Sequence, residues 1–416
     1  RERDMYVKYG NQTSTIKSTV AASNSYSVSF TLAKNTTMPI EIYANIGTAA
    51  NITATHSARA TSTITGTTTG SSTSVTTGAI VGQTIAYGAG SIASATSASS
   101  AIPANLYSNQ NADVASFDFT TTNDAFTISE VTVTFAALPT TLTQVHLKDG
   151  GTVLQSKPAA ASVTFTGLSI PVAANTTKTL TGAVTVGNVG TGAGATGEAV
   201  TMSLFSYKNI DSQGTEATDA NVRAGNAQYA FKAIPQIDND SLPTGSLNDG
   251  TMTLAKVKVQ GMGGTIGWKK VQFSITKTLA NVTITSPEVY DVTAGQTVAG
   301  VGSLVSTGAT TTNCLAAEDS VCTAVFVATA EQQVSGTRVY ELRAVVAGSV
   351  AGTSVSTNLT RPTAHATSAA YSTVALTGAT FVWTDRALNG HSESTLDWTN
   401  EFGLKNLPSS VQALTR

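Results

Sequence analysis

Charged side chains are scarce in this sequence. Only 12% of its 416 residues are Asp, Glu, Lys or Arg, about half the usual quarter. The 23 Lys and Arg against 25 Asp and Glu leave a net charge of −2, so no field of one sign exists to steer a nucleic acid or a membrane surface. Aromatics are also few, at 6%, and no stretch approaches the ~20 apolar residues of a membrane span. The start, Arg-Glu-Arg-Asp-Met-Tyr, has no apolar signal core. The expectation is that export was directed by a segment already removed, or that the numbering begins inside a longer precursor.

Only two cysteines occur, Cys314 and Cys322. A metal site would want more ligands at tighter spacing, and no histidine lies near them in sequence. A local disulfide is the preferred reading and implies an oxidising, extracytoplasmic setting, with two free thiols or a metal site as alternatives. The groups that do chemistry are sparse as well. His56, His146, His365 and His391 are scattered without metal spacing, and no nucleophile elbow, P-loop or paired-histidine zinc motif appears. The Gly187–Gly194 run opens no helix and reads as a turn. An enzyme is not expected. Asp238, Asp240 and Asp249 could offer hard oxygen ligands to calcium, although their spacing is not that of an EF-hand and a solvated loop competes. Otherwise no cofactor is expected. Trp268, Trp383 and Trp398 could stack on a sugar or fill a core.

What is present is Thr, Ser, Ala, Val and 35 Gly, a composition for strands and turns. One unit recurs three times. Lys34–Gly47, Ala174–Gly187 and Ser335–Gly348 each pass from a polar turn into alternating apolar positions and end in Gly, the pattern of a half-buried strand. Ile40, Ile42, Ala44 and Ile46 should therefore face inward, as should Leu180, Gly182, Val184 and Val186, and Val339 or its neighbour. Upstream, Phe126–Phe135 corresponds to Gly267–Ile275 and Val145–Gly151 to Val289–Gly295, while Met5–Gly10 matches the Val145 strand with nothing before it. The first copy thus lacks counterparts of residues 113–138. Upstream residues or a strand from another subunit must fill the gap, and the tail 396–416 is the preferred donor.

Pro103 and Pro235 mark starts near residues 101 and 233. The division is 1–100, a truncated sandwich with a Ser/Thr/Gly-rich stretch that is either flexible linker or extended arm; 101–232, a sandwich; and 233–416, a sandwich with an aromatic tail. The fold class is all-β: tandem Ig-like β-sandwiches, the first incomplete. Sequons stand at Asn11, Asn35, Asn51, Asn175, Asn239, Asn281 and Asn358, so glycosylation is a further expectation.

The Phe381-Val382-Trp383 strand, the Trp398-Thr399-Asn400 and Leu404–Pro408 tail, the Asn-Thr-Thr-Lys strand at Asn175 and the Lys-Asp-Gly-Gly turn at Lys148 resemble repetitive β-sandwich cell-surface proteins of bacteria that are S-layer-like in character. The resemblance covers residues 113–416 loosely and brings no catalytic residues. It implies an exported, extracellular protein that self-associates into a lattice or filament, with copies of itself and envelope glycans as partners. An adhesin or glycan-binding module is the alternative, marked by an exposed Trp383 or Trp398.

Overall fold

The computed structural model describes residues 2–46, 52–58, 61–65, 70–278, 282–306, 314, 321–362, 364–376 and 378–416. The chain is almost entirely β, with one short helix among the described residues, Tyr371–Ala375. Two complete sandwiches dominate. In the first, one sheet orders its strands Thr152–Pro158, Leu142–Asp149, Thr177–Val186, Asn111–Thr122 and Ser91–Thr96. The facing sheet runs Ser162–Val172, Phe126–Phe135, Met202–Asp211 and Glu216–Asp219. Alternation along these strands closes the core between the sheets, with Phe117, Phe119, Ile128, Phe165, Leu180 and Tyr207 buried.

The second sandwich repeats this order. Gln296–Thr297, Thr283–Asp291, Thr337–Ala347, Gly250–Met262 and Ile234–Asn239 form one sheet. Val321–Val334, Ile266–Lys277 and Ser354–Leu359 form the centre of the other. Counting within the two facing sheets from Asn111–Thr122 and from Gly250–Met262, and setting aside Gly300–Ser306, an additional strand beside Val321–Val334, the second strand pairs with the fifth and the third with the sixth in both copies, the Ig-like core pairing. The departure is at the ends, where the first strand joins the sixth and the seventh joins the second. The seventh strand of the later copy is split. Ser354–Leu359 pairs with Ile266–Lys277 up to Phe273, and Phe381–Thr384 resumes from Val271, so the described residues between them, 360–362, 364–376 and 378–380, form an insertion outside the strand.

Several sequence expectations need correction. Ser91–Thr96 pairs with Asn111–Thr122 over Phe117–Thr122, so a boundary at 101 cuts a ladder; its Ser and Ala residues hid a strand. Pro235 lies within Ile234–Asn239, a sheet-edge strand where a missing N–H is tolerated. In the third copy the inward set starts at the neighbour of Val339, as the expectation allowed: Tyr340, Leu342, Ala344 and Val346 are buried and are equivalent to Leu180, Gly182, Val184 and Val186. The tail is not a free donor. Leu404, Leu407 and Leu414 are buried, and Gln412–Thr415 pairs with Ser354–Thr357 of its own sandwich.

The N-terminal copy is half a sandwich. Glu2–Tyr9 pairs with Gln12–Thr13 and Lys17–Thr19 on one edge and with Ile40–Ile46 on the other, which reproduces the pairing of Leu142–Asp149 with its neighbours. Ser27-Val28-Ser29-Phe30-Thr31 aligns with Ser162-Val163-Thr164-Phe165-Thr166, yet residues 20–39 contain no strand. Ile40 and Ile42 are 50% and 43% exposed, as are Phe30 and Leu32 at 42% and 52%. The inward expectation fails at Ile40 and Ile42, because no second sheet lies over them among the described residues, while Ala44 is half-buried and the Ile46 side chain lies outside the described set. Among the described residues of the low-complexity stretch, two antiparallel ladders form, Ile52–Ala58 with Ile80–Tyr87 and Thr61–Thr65 with Ser72–Thr76.

Candidate functional site

The densest collection of ionisable groups lies where the C-terminal segment meets both complete sandwiches. Strand Phe381–Thr384 delivers Asp385 and Arg386 to this junction, and Arg386 adopts a left-handed φ of 51°. Asp385 is fully buried. Thr196 Oγ1 donates to its Oδ2 at 2.6 Å and the Lys232 N–H at 2.8 Å, so one carboxylate ties the last sandwich to the one before it. Burial pushes its pKa up to about 6, with the nearby Asp397 acting in the same direction and the hydrogen bonds opposing.

The loop after Gly390 turns back and places His391 between two carboxylates. Its Nδ1 is 2.9 Å from Asp397 Oδ2 and its Nε2 is 3.2 Å from Glu331 Oε2. Arg386 Nη1 donates to that same Glu331 oxygen at 2.6 Å. Asp397 also accepts from Thr395 Oγ1 at 2.6 Å and from the Leu388 N–H at 3.3 Å. Lys269 pairs with Glu393, and Glu401 accepts from the backbone N–H groups of Thr380 and Phe381. Lys270 Nζ donates to the Ala375 carbonyl; burial lowers its pKa, with Glu401 opposing. A cleft of about 480 Å³ lined by Lys232, Thr265, Arg386, Asn389 and His391 opens beside the cluster.

Every carboxylate named here is held by internal donors, so the cluster links the elements that carry them. Aromatic packing completes the joint. Phe231 lies 4.9 Å from Trp383, and Tyr229 stacks on His365 at 3.7 Å. Asn105 Nδ2 donates to the Phe402 carbonyl at 2.9 Å. A three-stranded sheet of Asn105–Tyr107, Gln228–Phe231 and Glu198–Val200 underlies these contacts.

Of the residues singled out from the sequence, His365, His391, Trp383 and Trp398 come to this junction, and the others fall elsewhere. Cys314 and Cys322 form a buried disulfide with Cα atoms 5.7 Å apart. Asp238, Asp240 and Asp249 do not act as one set. Asp238 takes Gln236 and Asn406, Asp240 sits 3.3 Å from Lys258 and 3.6 Å from Lys256, and Asp249 takes the Ser349 N–H and hydroxyl. Among the described residues no group of three or more His, Cys, Asp or Glu side chains could hold a metal ion. Trp268, Trp383 and Trp398 are all buried, so none offers a face to a sugar.

Of the sequons, Asn11, Asn35 and Asn175 are exposed, Asn239 and Asn358 are half-buried, and Asn51 and Asn281 lie outside the described residues. The Asn239 amide already donates to Ser410. Asn35 and Asn175 have left-handed φ values of 62° and 57°, and Gly336 occupies the same turn position in the third copy with φ 77°. Turn geometry alone therefore accounts for Asn at both places. His391 was the residue the sequence could not reveal, because its partners Glu331 and Asp397 belong to different elements.

No helix among the described residues is long and apolar enough to cross a membrane. No protein-family model matches the chain, and no curated protein matches it. Among solved structures, the chain is similar to the C-terminal domain of the AgI/II polypeptide BspA of Streptococcus agalactiae, at 10% identity over 64% of this chain and 95% of that one, with a TM-score of 0.17. It is also similar to a Corynebacterium diphtheriae protein described as membrane anchored, at 8% identity over 88% of this chain and 97% of that one, with a TM-score of 0.16. Scores this low carry no argument, and the fold rests on the strand pairings themselves.

Proposed function

We propose that the chain is a structural, non-catalytic protein of the bacterial cell surface, exported and extracellular, which builds a lattice or filament with further copies of itself. The observation that carries this reading is the junction. Two sandwiches of the same strand order are fixed to each other by a shared small sheet, an aromatic contact and the buried Asp385 bonds. A fixed angle between repeated units is what a periodic assembly requires of its subunit. The low charge of the chain supports the reading, since few ionic groups would have to be desolvated at repeated contacts. Electron microscopy of the purified protein over a concentration series tests the proposal. Ordered sheets or filaments are expected, and particles that stay monomeric at every concentration would refute it.

A further inference from the structure

Asparagine followed by glycine occurs once in the 416 residues, at Asn389-Gly390. The pair stands in an exposed turn shortly after Asp385 and Arg386. The turn is tied to the first sandwich through its backbone: the Asn389 N–H donates to Thr191 Oγ1 at 2.9 Å and the Thr191 N–H to the Ala387 carbonyl at 3.1 Å. The Asn389 carboxamide and the Gly390 N–H, in contrast, make no hydrogen bond among the described residues. Asparagines elsewhere in this part of the molecule use their carboxamides to hold backbone. Asn105 Nδ2 donates to the Phe402 carbonyl at 2.9 Å, Asn400 Nδ2 to the Ala364 carbonyl at 3.0 Å and Asn239 Nδ2 to the Ser410 carbonyl at 2.6 Å. The Asn389 side chain holds nothing in the fold.

Its surroundings are cationic. Lys232, Arg386 and His391 line one cleft together with Asn389 and Gly390. Arg386 is already committed to Glu331. Lys232 Nζ donates to the Arg386 carbonyl at 3.2 Å and has no carboxylate partner among the described residues.

We propose that Asn389 is a site of self-modification, in which the Gly390 backbone nitrogen converts its carboxamide to a carboxylate that pairs with Lys232. Glycine has no Cβ to obstruct the approach of its own nitrogen to a neighbouring side chain. The nitrogen lone pair bonds to Asn389 Cγ while the N–H proton passes to solvent. The carboxamide nitrogen takes up a proton and leaves as ammonia, which closes a cyclic succinimide. Water then opens the ring at either carbonyl, so that aspartate or isoaspartate stands at position 389. Water is the only co-reactant, and no oxidation occurs. Negative charge develops on the attacking nitrogen and on the Cγ oxygen, so cations on the cleft wall favour the step and then the product. The new carboxylate would tie the 386–391 segment to Lys232 in the linker between the two sandwiches.

The test holds the purified 416-residue chain at neutral pH and digests samples with trypsin at intervals, beside a synthetic peptide of residues 387–405, the tryptic fragment that contains the pair. Mass spectrometry reads the exchange of ammonia for water, and an isoaspartyl methyltransferase reads the isomer. The folded chain should convert at least as fast as the free peptide, and Asn389→Gln should not convert over the same period. Lys232→Ala, which keeps the backbone N–H that Asp385 accepts, should slow conversion by about two- to fivefold, the scale of one exposed ion pair. Asn389→Asp supplies one product at once. Hydrogen exchange of residues 386–391 should be slower in it than in Asn389→Gln, and the difference should vanish when Lys232→Ala is added. Conversion in the folded chain more than about tenfold slower than in the peptide would overturn the proposal. Equal exchange in Asn389→Asp and Asn389→Gln would overturn the pairing with Lys232. None of these readouts depends on assembly between copies.

Discussion

Asp385 is an ionisable group without access to water, and its effect on stability depends on pH. Its pKa stands at about 6 rather than 3.8, because burial disfavours the charged form. The folded protein therefore holds this proton more tightly than the unfolded chain does. The stability contributed by the group is complete below the unfolded value and is lost as pH rises through about 6. A two-unit difference corresponds to about 3 kcal/mol across that window. Asp385→Asn keeps an acceptor oxygen for Thr196 or Lys232 and cannot ionise. Urea denaturation at about pH 4 and about pH 8 should show a loss of stability on going to the higher pH that is smaller by about 2–3 kcal/mol in the variant; an unchanged loss would mean that Asp385 titrates alike in both states. His365 acts in the opposite direction. Burial lowers its pKa to about 4, so its share of stability is complete above the ordinary 6.5 and is lost as pH falls through about 4. His365→Phe should preserve the stack on Tyr229 and make the acid limb of a thermal-melt profile shallower, whereas a steeper limb would contradict the assignment.

The strands themselves were the most legible elements, because period-two alternation is imposed by the pleat and survives wherever both faces differ. Thr177–Val186 and Thr337–Ala347 could be read that way, and the turn before them is marked by Asn175 and Gly336 at left-handed φ. Ser91–Thr96 could not, since its small residues carry no alternation of size. Nor could the split seventh strand, because the residues between Leu359 and Phe381 separate two halves that only the partner strand reunites. The acid–histidine cluster was illegible for the same reason: Glu331, Asp385 and Asp397 meet through strand pairing, not through spacing. Two elements lend themselves to test. The disulfide closes a short loop, its cysteines eight residues apart in sequence, so replacing Cys314 and Cys322 by Ala should cost about 2–3 kcal/mol in urea denaturation, and equal midpoints for oxidised protein and variant would reject that. On the edge Ser162–Val172, the double change Gln155→Ala and Lys157→Ala uncovers the Thr164 and Thr166 carbonyls. Faster growth of light scattering is expected on mild heating, with little change in melting temperature, because the pair guards an edge rather than a core.

Across the whole molecule, the decisive question is whether the two complete sandwiches unfold as one body. Each has its own buried cluster, which by itself would allow two independent transitions. The contacts between them oppose that independence. Phe231, from the segment leading out of the first sandwich, is fully buried and packs in the second sandwich's core against Trp383. At the same joint Gly190 has φ 123°, and a Cβ there would stand 2.5 Å from the Ala387 carbonyl oxygen, so the backbones approach too closely for any side chain. Asp385 adds hydrogen bonds to both Thr196 and Lys232. Uncoupling these contacts would expose the Phe231 and Trp383 rings together and leave a buried carboxylate without two of its donors, a combined penalty comparable with the few kcal/mol that separate folded from unfolded domains. A fragment of residues 88–416 should therefore melt in a single calorimetric transition whose calorimetric and van't Hoff enthalpies agree. Phe231→Ala removes the aromatic link at a cost of about 3–5 kcal/mol and should separate the melt into two peaks, with the first sandwich's amides exchanging independently of the second's. Two transitions already present without the substitution would show that the joint is not a coupling element, and the fixed angle on which a periodic assembly depends would lose its physical basis.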